Sequence, residues 1–418
     1  MRNKSILSRP DGITIILTLL LMFIGWINIY AAVYDEAHSS IFDLSQRYGK
    51  QLLWIVASCG LGIIILMLDT KFVPAFSFII YFITLLSLVG VLLFGSTIAG
   101  AKSWFKIGSF AIQPAEFAKF ATCLALARYL SQTNIDLSRL KHIASAALII
   151  LLPSILILLQ NDTGSALVYF SLVFAFYREG LSGYILFLVV IAVSLFIATL
   201  LMSEFIIIGI IAGICAVIYY YTRKRAGSLK IILSVFIISS LYITSVDYAF
   251  NKILEPHQKK RINVLIGKET DIRGAGYNVY QSKTAIGSGG FSGKGFLQGT
   301  RTKGDFVPEQ STDFIFCTIG EEWGFVGTSV TIILFLLLFA RLLLLAERQR
   351  SNFSRIYGYG VTSILFFHFA INIGMTIGLA PVIGIPLPFF SYGGSSLWGF
   401  TILLTIFLKL DADRRYII

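Results

Sequence analysis

Twelve apolar runs follow one another along the chain, at about 13–33, 51–69, 73–95, 114–132, 142–160, 163–178, 182–202, 204–222, 230–249, 315–345, 354–378 and 394–411. A run of about 20 apolar residues crosses the hydrocarbon core as a helix. The runs are continuously apolar and do not alternate, which argues against a spanning β-barrel. The pattern predicts an all-α polytopic membrane protein, read as one membrane domain over residues 1–418.

Two segments break the pattern. Residues 250–312 form a large polar loop, rich in glycine and lysine between Gln281 and Arg301. Residues 379–394 are apolar, yet Pro381, Pro386, Pro388 and the pair Gly393–Gly394 forbid a continuous helix. Such backbone is tolerated at membrane depth only where protein or a water-filled cavity covers it. A re-entrant loop packed beside the polar loop is therefore expected.

Composition agrees with a membrane protein. The 418 residues are 56% hydrophobic and 13% charged, with a mean hydropathy of +0.81. Soluble domains carry about 25% charged residues. Arg2, Lys4 and Arg9 precede a first run too long for a signal-peptide core, so a retained first helix is expected. Lys71, Arg128, Arg139, Lys141, Arg178, Arg223, Arg225, Arg348, Arg350, Arg355, Arg414 and Arg415 would share one side with that N-terminus. The positive-inside rule makes that side cytoplasmic and holds both termini there. The net charge of +12 follows mainly from these loops. No basic motif with stacking aromatics points to nucleic acid. Cys59, Cys123, Cys215 and Cys317 lie in apolar sequence without metal-type spacing and read as packed thiols.

Residues 251–311 depart from the charge rule, with ten Lys or Arg against five acids. Long loops translocate despite such charge. The excess is either a solvated face or a basic surface for an anionic substrate at the outer leaflet. Gly287, Gly289, Gly290, Gly293 and Gly295 suit a backbone anion nest, flanked by Lys283 and Lys294. Asp313 stands where the loop enters the next apolar run. It is either a helix N-terminal acid, with Ser311 or Thr312 as cap, or a partly desolvated general base. Glu116 and Lys119, three apart at the start of the fourth run, share a helix face and can pair. A structural pair or a cavity-lining role both fit them. Asp162 is open between helix cap and cavity, and Glu321, Glu322, Ser395 and Ser396 are candidates to line the same cavity.

The motifs together resemble the SEDS family (shape, elongation, division and sporulation). The matching stretches are Gly100 to Trp104, Gln113 to Lys119, Gln160 to Ala166, the loop through Phe316 with Gly320-Glu321-Glu322, Asn372 to Met375, and Gly384 to Ser396. The loop variant Gly299-Thr300-Arg301-Thr302…Phe306 to Phe316 looks more like the elongation branch than the division branch. The family usually has ten spans, which brackets the expectation at ten to twelve transmembrane helices. The surplus pair falls within 163–249.

The resemblance implies a peptidoglycan glycosyltransferase of the bacterial cytoplasmic membrane, polymerising lipid II at the outer face during cell elongation. It implies a class B penicillin-binding protein as transpeptidase partner, with other elongation-complex membrane proteins. The family's catalytic aspartate maps onto Asp313, and its intramembrane pair onto Glu116 and Lys119. Lys283, Lys294, Arg273, Arg301, Glu309, Ser282, Gly289 and Gly290 are the expected substrate-binding residues. A divalent cation, Mg or Mn, is a candidate to share the phosphate charge, although no ligand cluster identifies one. A lipid II flippase and a non-catalytic scaffold of the cell-wall complex are the competing readings.

Overall fold

The computed structural model describes residues 10–34, 40–98, 100–108, 110–225, 227–253, 276–304 and 306–414, with Lys259 and Asn263. Its long helices are α1 (Gly12–Ala32), α2 (Arg47–Met67), α3 (Phe72–Phe94), α4 (Pro114–Leu130) and α5 (Leu140–Leu159). Shorter helices α6 (Thr163–Val168) and α7 (Val173–Arg178) follow, then α8 (Gly183–Leu201), α9 (Glu204–Thr222) and α10 (Ser228–Tyr248). After the polar loop's α11 (Tyr277–Ser288) and α12 (Thr300–Lys303) come α13 (Ile315–Glu347), α14 (Asn352–Thr376) and α15 (Gly394–Ala412).

Among the described residues, ten helices are long and apolar enough to cross a membrane. The other two of the twelve expected runs, 114–132 and 163–178, form shorter helical segments. The helix α4 has 17 residues and carries Glu116, Lys119 and Arg128. The run at 163–178 stays helical throughout, with α6 and α7 joined by a 3-10 turn at Tyr169–Leu172.

The chain forms two compact units: residues 1–181 with 278–418, and residues 182–277. In the first, α14 and α15 are buried along most of their length and form the centre. Small residues bring neighbours close. A Cβ on Gly360 of α14 would lie 2.2 Å from Cys123 Sγ on α4, and one on Gly399 of α15 would lie 2.9 Å from the Glu116 carbonyl. Aromatic rings join α13, α14 and the non-helical segment beyond them. The Phe335–Phe369 centroids are 5.0 Å apart, and Phe335–Phe390 6.4 Å. The second unit packs α8, α9 and α10 on one another, with the Tyr242 hydroxyl donating to the Ala192 carbonyl at 3.1 Å. Most of its apolar side chains are exposed, as lipid contact requires.

A small antiparallel sheet departs from the all-helical expectation. Strands β1 (Ser96–Ile98), β2 (Ala101–Ile107) and β3 (Phe110–Ile112) lie in that order between α3 and α4. Ile107 pairs with Phe110, and Gly108 after Ile107 has φ +63°. Gly-Ser between two strand-like runs is itself a hairpin signal.

The helix α13 has 33 residues and merges two helices at Gly324, whose φ of 63° and ψ of −153° are closed to L side chains. Its length of about 50 Å exceeds a hydrocarbon core of about 30 Å. The polar loop fills the break: the Phe325 and Val326 N–H groups donate to the Gly290 and Phe291 carbonyls at 2.9 and 3.1 Å. A Cβ on Gly324 would meet the Gly293 nitrogen at 2.3 Å. Gly324→Ala is therefore expected to destabilise the fold by about 1–3 kcal/mol from backbone strain alone, read as a lowered thermal midpoint of the purified protein.

Candidate active site

Asp313 lies on a four-residue stretch held at nearly every backbone carbonyl. Ser311 O accepts from Tyr392 N at 2.9 Å, Thr312 O from Ser391 Oγ at 2.6 Å, and Asp313 O from Asn372 Nδ2 at 2.8 Å. The turn before it closes on Glu309, whose φ is +54° and whose carbonyl accepts from the Thr312 and Phe314 N–H groups at 3.1 Å each. The main chain is thus fixed from two sides. Among the described residues the Asp313 carboxylate itself has no hydrogen-bond partner, and the residue is half-buried. A rigid backbone with an uncommitted side chain at an opening is what a reacting group needs. Burial, together with repulsion from Glu309, Asp162 and Glu116, pushes the Asp313 carboxyl up to about 7. The capping alternative fails: α13 starts after Phe314 with no side-chain cap, and Ser311 Oγ instead accepts from Arg47 Nη1 at 2.6 Å.

The segment 377–393 is non-helical and buried over most of 385–391, and a Cβ on Gly384 would lie 3.3 Å from Asp313 Oδ2. Two side chains one turn apart on α14 clamp its successive carbonyls. Asn372 Nδ2 donates to Ile385 O at 2.7 Å, and His368 Nδ1 bonds Pro386 O at 3.1 Å. The other His368 nitrogen lies 3.0 Å from Lys119 Nζ, which also donates to Glu116 Oε2 at 2.7 Å. An ammonium can only donate, so Nε2 accepts and the proton sits on Nδ1. Phe400 covers Lys119, with its ring centroid 4.9 Å from Nζ. Glu116, Lys119 and His368 are all buried. A chain of contacts thus runs from the buried pair through the segment at 385–386 to the Asp313 backbone.

Other expected residues take different roles. Asp162 is a helix cap, accepting from the Ser165 N–H at 3.0 Å, and it also accepts from Gln113 Nε2 at 2.8 Å. Ser395 Oγ accepts from the Gln113 N–H at 3.2 Å, tying α15 to the start of α4, and Ser396 Oγ donates to Gly393 O at 3.2 Å. Glu321 does not line an open cavity. Its carboxylate is fully buried and receives Lys294 Nζ at 2.6 Å, the Thr300 and Arg301 N–H groups at 3.0 Å each, and Thr302 N–H at 2.9 Å. It anchors α12 in the polar loop, and Lys294 is committed to it. Glu322 is buried beside it.

The glycine-rich stretch is not an anion nest either. The N–H groups of Gly289, Gly293, Lys294 and Gly295 all donate to backbone carbonyls. A Cβ on Gly289 would lie 1.9 Å from the Gly320 carbonyl oxygen, so glycine here serves close backbone approach to α13. Gly290 is exposed with φ +57°. Ser282 is fully buried and donates to Thr376 O at 2.9 Å, which removes it from substrate contact. Arg301 Nη1 donates to Gln281 Oε1 at 2.7 Å. Lys283 and Glu309 are exposed. Arg273 lies outside the described residues. Among the described residues, no three His, Cys, Asp or Glu side chains gather as a metal site.

Sequence reasoning missed His368 and Arg47. A histidine inside an apolar span was the available signal for the first, since intramembrane ionisable groups need partners. Arg47 stands at the polar edge of a span, where nothing separates it from an ordinary flanking charge.

A model of the FTSW_RODA_SPOVE cell cycle protein family matches residues 12–416. Peptidoglycan glycosyltransferase RodA of Treponema pallidum (strain Nichols) is 34% identical, over 97% of this chain and 98% of that protein. Peptidoglycan glycosyltransferase MrdB of Escherichia coli (strain K12) is 31% identical, over 93% of this chain and 92% of that protein. A solved chain described under structural coordination of polymerization and crosslinking by a peptidoglycan synthase complex aligns with a TM-score of 0.71 and 26% identity, over 97% of this chain and 98% of its own. Matched along nearly its whole length in both sequence and fold, the chain belongs to the FtsW/RodA/SpoVE family, also called SEDS.

Proposed function

We propose that this integral membrane protein is a peptidoglycan glycosyltransferase that polymerises lipid II into glycan strands. The observation that carries the reading is the uncommitted Asp313 carboxylate, half-buried on a rigid main chain, with a pKa near the operating range. The relatives named above are peptidoglycan glycosyltransferases, which supports the same activity here.

Asp313 takes the proton from the acceptor sugar's 4-hydroxyl. The hydroxyl oxygen forms a bond to the donor's anomeric carbon with inversion. The bond from that carbon to the pyrophosphate oxygen breaks, and its electron pair leaves with undecaprenyl pyrophosphate. The proton then passes from Asp313 to solvent. Exposed Lys283 and the remaining donors of Arg301 supply positive charge near the leaving group. A divalent cation would add to that charge, with the exposed Glu309 a carboxylate able to hold it.

The site chemistry requires the polar loop on the outer face, which puts both termini in the cytoplasm and agrees with the basic inner loops. The segment 379–394 then re-enters the membrane from that face. The partner is a class B penicillin-binding protein, in keeping with the polymerization and crosslinking complex to which this fold is similar. The test is a glycan-chain assay of the purified protein on lipid II, with and without that partner. Labelled chains are expected. Transfer of lipid II across liposomes without any lengthening would instead favour the flippase reading. Against that alternative, Glu116 and Lys119 are buried and bound to each other and line no open path.

A further inference from the structure

Lys294, expected to meet substrate, is bound to buried Glu321, and Arg301 gives one nitrogen to Gln281. A cation that the sequence did not nominate touches the turn that carries the base. Arg47 is the first residue of α2, where the helix dipole disfavours a positive charge. Its position therefore needs another reason. Its Nη1 donates to Ser311 Oγ, two residues before Asp313, at 2.6 Å. The same nitrogen is 3.9 Å from Glu309 Oε2, and the guanidinium lies 5.9 Å from the Tyr392 ring centroid. These contacts fix the plane of the guanidinium against the two segments that hold Asp313. Among the described residues, Nε and Nη2 have no hydrogen-bond partner, and the side chain is 46% exposed. The two parallel donors on the free edge of a guanidinium match two oxygens of a phosphate.

Resting on the glycosyltransferase reading, we infer that Arg47 binds the pyrophosphate of the lipid-linked donor and keeps it beside Asp313 as the leaving group departs. Ser311 and Tyr392 orient the guanidinium, and Glu309 is the carboxylate that the anionic substrate displaces.

The test uses the purified full chain in nonionic detergent, comparing wild type with Arg47→Ala and Arg47→Lys. Two quantities are read: KM for lipid II, and inhibition by a polyprenyl pyrophosphate against the same polyprenol. Arg47→Ala is expected to raise KM and weaken polyprenyl-pyrophosphate inhibition by about tenfold or more, as loss of a charge-assisted contact implies. Polyprenol inhibition should not change, and Arg47→Lys should recover part of the loss. A fall in kcat with pyrophosphate inhibition intact would make Arg47 a mere holder of the Asp313 turn and overturn the inference. An equal loss for polyprenol, or no change at all, would also overturn it. A loss that appears only after anionic phospholipid is added would assign the contact to a headgroup, again against it. If Arg47→Ala behaves like wild type while wild type still makes chains, the enzymatic reading stands and only this inference falls. If wild type binds the pyrophosphate but makes no chains with or without partner, the enzymatic reading falls and takes this inference with it.

Discussion

Asp313→Asn should cut glycan-chain formation by the purified protein by orders of magnitude while leaving lipid II binding in place. Asparagine keeps the size of the side chain and cannot take the acceptor's proton. General-base catalysis contributes about 10²- to 10⁴-fold, so residual rates should fall in that range below wild type at every pH. The fold should not suffer. The Asp313 main chain is held through carbonyl oxygens, and its side chain has no hydrogen-bond partner among the described residues. In alkaline solution the variant should in fact be more stable than wild type. The folded carboxyl has a pKa near 7, above its ordinary value of 3.8. Ionising it thus works against folding: the penalty is absent below pH 4, grows through the window between those values, and is complete above pH 7. Asp313→Asn removes it, so its thermal midpoint at pH 8 should exceed that of wild type. A groove residue with only a packing role would show a lowered midpoint and retained activity.

Lys119→Met should produce the largest loss of stability. It leaves the Glu116 carboxylate buried without its counter-charge and His368 Nε2 without a donor. Breaking a buried pair from one side costs about 3–5 kcal/mol. The double variant Glu116→Gln/Lys119→Met removes both charges and should recover most of that loss, because much of the penalty belongs to the orphaned carboxylate. Unfolding curves of the single and double variants check this. Polymerisation by the double variant separates fold from chemistry: stability returns, while the Pro386 carbonyl lacks a histidine oriented by Lys119, so the rate should stay below wild type. Equal losses in Lys119→Met and the double variant would mean that the orphaned carboxylate is not the source of the penalty.

Much of this was readable from local pattern. Apolar runs locate helices because each span must satisfy its own backbone and face lipid, so length and hydropathy suffice. Length and hydropathy do not show where the winding changes, as at 163–178, whose Tyr169–Leu172 stretch tightens to a 3-10 turn. Asp313 was legible because it is an acid at the boundary of a polar loop and an apolar helix. The roles of its neighbours were not. Glycine richness at 287–295 signals either a nest or close backbone approach, and only the Gly289–Gly320 and Gly293–Gly324 contacts decide for the second. A lysine beside a glycine loop looks the same whether it awaits a phosphate or binds Glu321. Arg47 and Ser311 are 264 residues apart, and no local pattern announces their meeting. The pair Glu116 and Lys119 was legible by spacing, but its link through His368 to the segment beside Asp313 depends on tertiary packing.

The most direct test of Asp313 as the base is the pH dependence of kcat for wild type and Glu309→Gln. The account predicts a rate that rises with pH through about 7 and levels off above it, since the carboxylate is the active form. Removing the Glu309 charge should move that rise to lower pH, because its repulsion is one of the forces raising the Asp313 pKa. A flat profile through this range would contradict it.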